Sequence, residues 1–135
     1  MAVTTSPADA VQLTIPLRSE FGSILRLVAA AFGADAAFSL DDIDDLRLAV
    51  SEVFSSALQH DGRAATLTAV FESAAPGVEV SLLVSSDSGS PDVVELDELA
   101  SAIIKASVDR VEVDGFSVRL TKHGSELVPA TTDDD

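Results

Sequence analysis

Asp45, Ala49, Glu52, Ser56 and His60 recur at three- and four-residue spacings. At about 100° per residue they fall along one edge of a helix, beside an apolar face built by Leu46, Val50, Val53 and Ala57. A carboxylate, a hydroxyl and an imidazole at such a burial boundary could meet a ligand lying over the helix, with Glu52 as a base and the others orienting. The same spacing also suits a plain solvated edge, on which Glu52 is a surface carboxylate, Ser56 a neutral filler and His60 a favourable partner of the helix dipole. Asp41-Asp42-Ile43-Asp44-Asp45 places negative charge where the positive end of that dipole lies, a stabilising arrangement that could also attract a basic surface. Asp87-Ser88-Gly89-Ser90 has the residue types of a tight turn. His60 and His123 are the only histidines and there is no cysteine, so a structural zinc site has no support. The glycine-serine-glycine turn of serine hydrolases is also missing.

These residues need elements to hold them. Val11, Leu13 and Ile15 alternate with polar neighbours and predict a strand that Pro16 ends. Phe21, Ile24, Leu25, Val28, Ala31 and Phe32 predict a first helix over Ser19 to Phe32 with Gly33 as its stop. Ser39 is an N-cap for a long helix over Asp41 to His60, which Asp61-Gly62 terminates. Ala65 to Glu72 and Val78 to Ser85 predict a hairpin, and a loop from Ser86 to Asp92 follows. A third helix is expected within Leu96 to Val108, then a second hairpin, Arg110 to Val113 and Phe116 to Lys122, about Asp114-Gly115. This order predicts an α/β two-layer sandwich with the helices on one face of a mixed, mostly antiparallel sheet. The domain is expected over 11–124, between a flexible N-terminus (1–10) and a flexible acidic tail (125–135).

The chain has 135 residues, 47% of them hydrophobic, enough for one core that buries roughly two-thirds of the unfolded surface. Eight basic against 23 acidic side chains give a net charge of −15, which argues against nucleic acid as a direct ligand. No apolar run reaches the roughly 20 residues of a bilayer span and no signal peptide is visible, so no membrane contact and a cytoplasmic location are expected.

Leu46-Arg47-Leu48-Ala49-Val50-Ser51-Glu52, with Ser56-Ala57 and His60, resembles the signature helix of the bacterial anti-sigma-factor serine kinases. These belong to the histidine-kinase-type ATPase superfamily, and the order of elements from Val11 to Lys122 is similar to theirs. The resemblance implies a histidine-kinase-like ATPase fold, ATP and magnesium as cofactors, and a sigma factor and an anti-anti-sigma antagonist as partners, often with a homodimer. Glu52 would inherit the role of the base. Ser56 stands where the family has the asparagine that holds magnesium, and a hydroxyl is a weaker oxygen ligand than an amide. Asp87 and Gly89 match the adenine-binding aspartate and the first glycine of the next motif, while Ser90 replaces the second glycine. In the phosphate-binding motif Glu98 and Ala100 replace glycines and Ser101 replaces a leucine. Glu95, Asp97 and Glu98 there set negative charge against a triphosphate. Arg26 matches an arginine that takes part in docking the family's partners, and it suits equally a solvent-facing charge.

The leading expectation is an anti-sigma-type regulatory protein that binds a sigma factor, an anti-anti-sigma protein or both, with a degenerate ATP site. An active ATP-dependent kinase of the antagonist's serine is the alternative from the same resemblance. A scaffold or small-ligand module of the same fold is a third.

Overall fold

The computed structural model describes residues 1–5, 10–59 and 64–124. Its elements are β1 (Ala2–Thr5), β2 (Val11–Pro16), a 3-10 turn (Ser19–Phe21), α1 (Gly22–Asp35), α2 (Leu40–Gln59), β3 (Ala64–Ala74), β4 (Gly77–Ser86), β5 (Pro91–Asp92), α3 (Glu98–Ser107), β6 (Arg110–Val113) and β7 (Ser117–His123). The strands form one sheet in the order β1-β2-β3-β4-β7-β6, with β5 added beside β4. Every pairing among the described strands is antiparallel, so the expected sandwich stands while the expected mixed sheet becomes antiparallel throughout.

The period-two pattern sets the layers. Leu13 and Ile15, Leu67, Ala69 and Phe71, Val78, Val80 and Leu82, and Val118 and Leu120 turn to one face and are wholly buried. Leu25 and Ala29 of α1, Leu46, Ala49, Val50 and Val53 of α2, and Ile104 of α3 close over them. Phe32 stacks on Phe71 at 5.3 Å between ring centres.

Three expectations need correction. The N-terminal lead, expected to be flexible, contains β1, paired with β2 from Ala2↔Thr14 to Thr5↔Val11. Ser19–Phe21 forms a 3-10 turn rather than the start of the first helix. Gly33 does not stop α1, which runs on to Asp35. A Cβ at Gly33 would lie 2.9 Å from Ile43 Cγ1, so this glycine lets α1 and α2 approach closely. The turn is made instead by Ala37, at φ 62°, with the Phe38 N–H donating to Gly33 O at 2.9 Å. The third helix, Glu98–Ser107, lies within the expected stretch Leu96 to Val108. Ser39 caps α2 as expected: its Oγ accepts from the Asp42 N–H at 3.1 Å. His60, the Asp61-Gly62 stop and the acidic tail lie outside the described residues.

Candidate functional site

The polar edge of α2 divides into three parts. At its start Asp42, which is buried, and Asp45, which is half-buried, both face Lys122 of β7, with Nζ 3.6 Å from Asp42 Oδ1 and 3.5 Å from Asp45 Oδ2. The acidic entry thus ties α2 to the sheet as well as facing the helix dipole. Alternation on β7 carries the signal for this contact, since Val118 and Leu120 face the core and Lys122 is the next position on that side. In the middle of α2 Ala49 is fully buried, and Glu52 is half-buried with no hydrogen bond or ion pair to another described residue. At the end Ser56 and Gln59 line a cavity of about 450 Å³ together with Glu95, Leu96 and Asp97, between α2 and the segment that enters α3. Glu52 lies one helical turn before Ser56.

The far wall of that cavity is the N-terminus of α3. Asp97 is its N-cap, with extended backbone at φ −72° and ψ 178°, and its Oδ1 accepts from the Ala100 N–H at 2.8 Å. The carboxylate therefore satisfies one of the donors that a helix start leaves open. Glu98 adds a second negative charge in the first turn.

Asp87 and Gly89 are not among the residues lining this cavity. They sit on an exposed turn in which the Gly89 N–H donates to Ser86 O at 2.9 Å and the Ser86 N–H to Ser90 O at 2.8 Å. Gly89 has φ +88° and open space where a Cβ would be, so it serves the backbone turn. The Ser88 hydroxyl links Ser86 Oγ at 2.9 Å and Ser90 Oγ at 3.4 Å. The structure thus brings Ser56 together with Glu95 and Asp97, and it sets Asp87 and Gly89 on a separate hairpin tip. Gln59 and Leu96 belong to no motif, and sequence reasoning passed over them.

Arg26 lies on α1, half-buried, in a groove of about 360 Å³ that Ser23, Leu27, Ala30 and Arg47 of α2 also line. Among the described residues no group of three or more His, Cys, Asp or Glu side chains could hold a metal ion. Among the described residues no helix is long and apolar enough to cross a membrane.

Comparison with known proteins bears on this arrangement. No family model matches the chain. It is 38% identical over 53 residues to "Serine-protein kinase RsbW" of Bacillus licheniformis, a stretch covering 39% of this chain and 33% of that protein. The alignment with the protein of the same name from Bacillus pumilus is longer: 26% identity over 143 residues, 84% of this chain and 85% of the relative. A crystal structure of the RsbU and RsbW domains of a Mycobacterium tuberculosis protein superposes with a TM-score of 0.63 at 17% identity, over 96% of this chain and 36% of that one. The fold is therefore the α/β sandwich of that structure. The chain is thus similar to the anti-sigma-factor serine-protein kinases, over a third of the Bacillus licheniformis protein and most of the Bacillus pumilus one.

Proposed function

We propose that this protein is an anti-sigma-type regulator that works by binding a sigma factor, an anti-anti-sigma antagonist or both, and that its nucleotide cleft has lost the means to cradle a triphosphate. The observation that carries this reading is Asp97. Its carboxylate holds the Ala100 N–H at 2.8 Å, at the helix start where phosphate-binding members offer free backbone donors. Asp97 and Glu95 line the cavity and Glu98 follows in the first turn. An anion placed there meets like charges, each worth on the order of 1 kcal/mol even in water-like surroundings. Ser56 offers magnesium one hydroxyl where the ion prefers several well-placed oxygens. The residues present do not fit Mg-ATP.

Isothermal titration of the purified protein with Mg-ATP tests the lost cleft, and size-exclusion chromatography with purified sigma factor or antagonist tests the grip. We expect no nucleotide heat and a stable protein complex. Micromolar Mg-ATP affinity would overturn the first half, and absence of any complex the second.

One observation favours an active kinase as the second reading: Glu52 stays half-buried on α2 with no partner among the described residues, as a general base would need. Radiolabelled ATP with a candidate antagonist separates the two. Phosphate transfer that Glu52→Ala abolishes would establish the kinase.

A further inference from the structure

An antiparallel sheet with helices on one side turns its other side to solvent, and alternation should leave polar side chains there. The helices of this chain close over the face of Leu67, Ala69, Phe71, Val80 and Leu82. On the opposite face the hydroxyls of Thr14 and Thr68 meet at 2.9 Å, and Arg119 holds Glu79 at 3.1 Å and Glu112 at 3.5 Å, as a wet surface requires. The rule fails in one place. Val70 of β3 and Leu83 of β4 point outward between buried neighbours, where the register sets Val70 opposite Ser81 and Leu83 opposite Ser117. Phe116, 51% exposed, joins them. With Ser81, Ser117 and Asp114 these three apolar residues line a groove of about 550 Å³.

Asp114 gives the groove its sign. The hairpin tip that carries it is pinned: Gly115 takes φ +90°, its carbonyl accepts the Val94 N–H at 3.0 Å, and the Asp114 N–H donates to Ser117 O at 3.1 Å. The Ser117 hydroxyl and N–H both donate to Asp114 Oδ1, at 2.7 and 3.1 Å. Oδ2 keeps its lone pairs, and no cation among the described residues forms an ion pair with this carboxylate. The arginines of this face are already paired, Arg119 with Glu79 and Glu112 and Arg110 with Glu112. Glu72, Glu79, Glu112 and Asp114 thus outnumber Arg110 and Arg119 on it, in a molecule of net charge −15. A second copy laid face to face would set this excess of carboxylates against itself. A cationic side chain meets the opposite situation: its stem can lie along Phe116 while its head reaches Asp114.

We infer that the open face of the sheet docks a basic, apolar segment of a partner protein, with an Arg or Lys side chain over Phe116 and paired to Asp114, and a neighbouring aliphatic side chain laid on Val70 and Leu83. Asp114 selects for the charge and Phe116 for the stem that carries it. None of these residues carries the proposed function, and the groove stands or falls without it.

The test titrates the full-length, 15N-labelled protein with the capped peptide Ala-Leu-Arg-Leu-Ala. Amide shifts are expected at Val70, Ser81, Leu83 and Phe116, and not along α1 or α2. Citrulline in place of the arginine keeps its shape and removes its charge, and should weaken binding about fivefold. Alanine in place of both leucines should weaken it by a similar factor of about five. Asp114→Asn keeps an oxygen for the Ser117 donors, and Phe116→Ala shortens a side chain already half in solvent, so both proteins should melt with the wild type while each binds the peptide about fivefold more weakly. Asp35→Asn, which removes the same charge from the exposed end of α1, should leave the affinity unchanged. Equal binding of the citrulline peptide or full affinity in Asp114→Asn would overturn the inference, and so would an equal loss in Asp35→Asn, which would show that net charge alone attracts the peptide. Analytical ultracentrifugation tests the rival occupant: a dimer that Phe116→Ala dissolves would assign the face to a second copy and overturn the inference, whereas a protein whose mass is the same with and without Phe116→Ala supports it.

Discussion

Replacing Asp97 separates two roles that its carboxylate combines. Asp97→Ala removes the 2.8 Å bond to the Ala100 N–H, and α3 is a helix of only 10 residues that buries just Ala100, Ile104 and Ser107. Loss of such a cap costs about 1 kcal/mol. For 135 residues that lowers the melting temperature by about 4 °C. Asp97→Asn keeps an oxygen that can cap and loses only the charge–dipole attraction, about 0.5 kcal/mol, or a shift of about 2 °C. Differential scanning fluorimetry on the three proteins, each with and without millimolar Mg-ATP, reads cap and cleft together. A cleft with micromolar affinity would gain about 4 kcal/mol at a thousandfold excess of ligand, or about 15 °C. We expect under about 1 °C for all three proteins, because neither variant removes Glu98 or restores glycine at Glu98 and Ala100. An Asp97→Ala protein that melts with the wild type would refute the cap. A wild type that climbs several degrees with Mg-ATP would refute the filled helix start.

Lys122→Met deprives buried Asp42 and half-buried Asp45 of their shared ammonium, and should cost about 3 kcal/mol by urea denaturation, with part recovered in Lys122→Met/Asp42→Leu. At Gly77 a Cβ would run into Lys122 O and lie 2.8 Å from His123 Cα, so Gly77→Ala should push β4 from β7 at a cost of about 3 kcal/mol, seen as a lower urea midpoint. The Ser117 hydroxyl and backbone N–H, at 2.7 and 3.1 Å, hold the Asp114 carboxyl below its ordinary value of 3.8. A depressed carboxylate stabilises the fold above its unfolded pKa, and that stabilisation is lost as pH falls through the folded one; Ser117→Ala should raise the Asp114 midpoint in a carboxyl NMR titration.

The α2 helix was legible because two patterns of the same period coincide on it: the stripe Leu46, Val50, Val53 and Ala57, and the polar edge Asp45 to Ser56. Period-two alternation likewise placed the core face of β2. Three features escaped for identifiable reasons. β1 is an edge strand held by backbone pairing to β2, and such pairing leaves little pattern in side-chain types. Gly33 reads as a stop by composition, yet its role is contact with Ile43 and Phe38, which only the packed helices define. Lys122 lies 77 residues from Asp45, beyond any local pattern. Within the site, the resemblance located Ser56, while Gln59 and Leu96 became visible only once α2 and the start of α3 stood opposite each other.

Asp97 also bears on how this fold would keep its shape without a nucleotide, as the proposed function requires. A helix that begins with glycines at a phosphate site leaves its first N–H groups to the ligand, so order at that end depends on occupancy. In this chain Asp97 supplies the acceptor from within, and the Ser101 N–H closes on Asp97 O at 2.9 Å. The start of α3 therefore finds its acceptors within the chain. The groove that holds Arg26 and Arg47 lies on α1 and α2, whose contact depends on Gly33, Ile43 and the core beneath. No residue lining one cavity lines the other. On the proposed function a sigma factor or antagonist should bind equally with ADP, with ATP or with neither, because a ligand that distinguishes no states shifts no equilibrium. Surface plasmon resonance of a sigma-factor or antagonist complex in the three conditions should give one dissociation constant. A change of more than about threefold between nucleotides would mean that the cleft still communicates, and that Asp97 has not closed it.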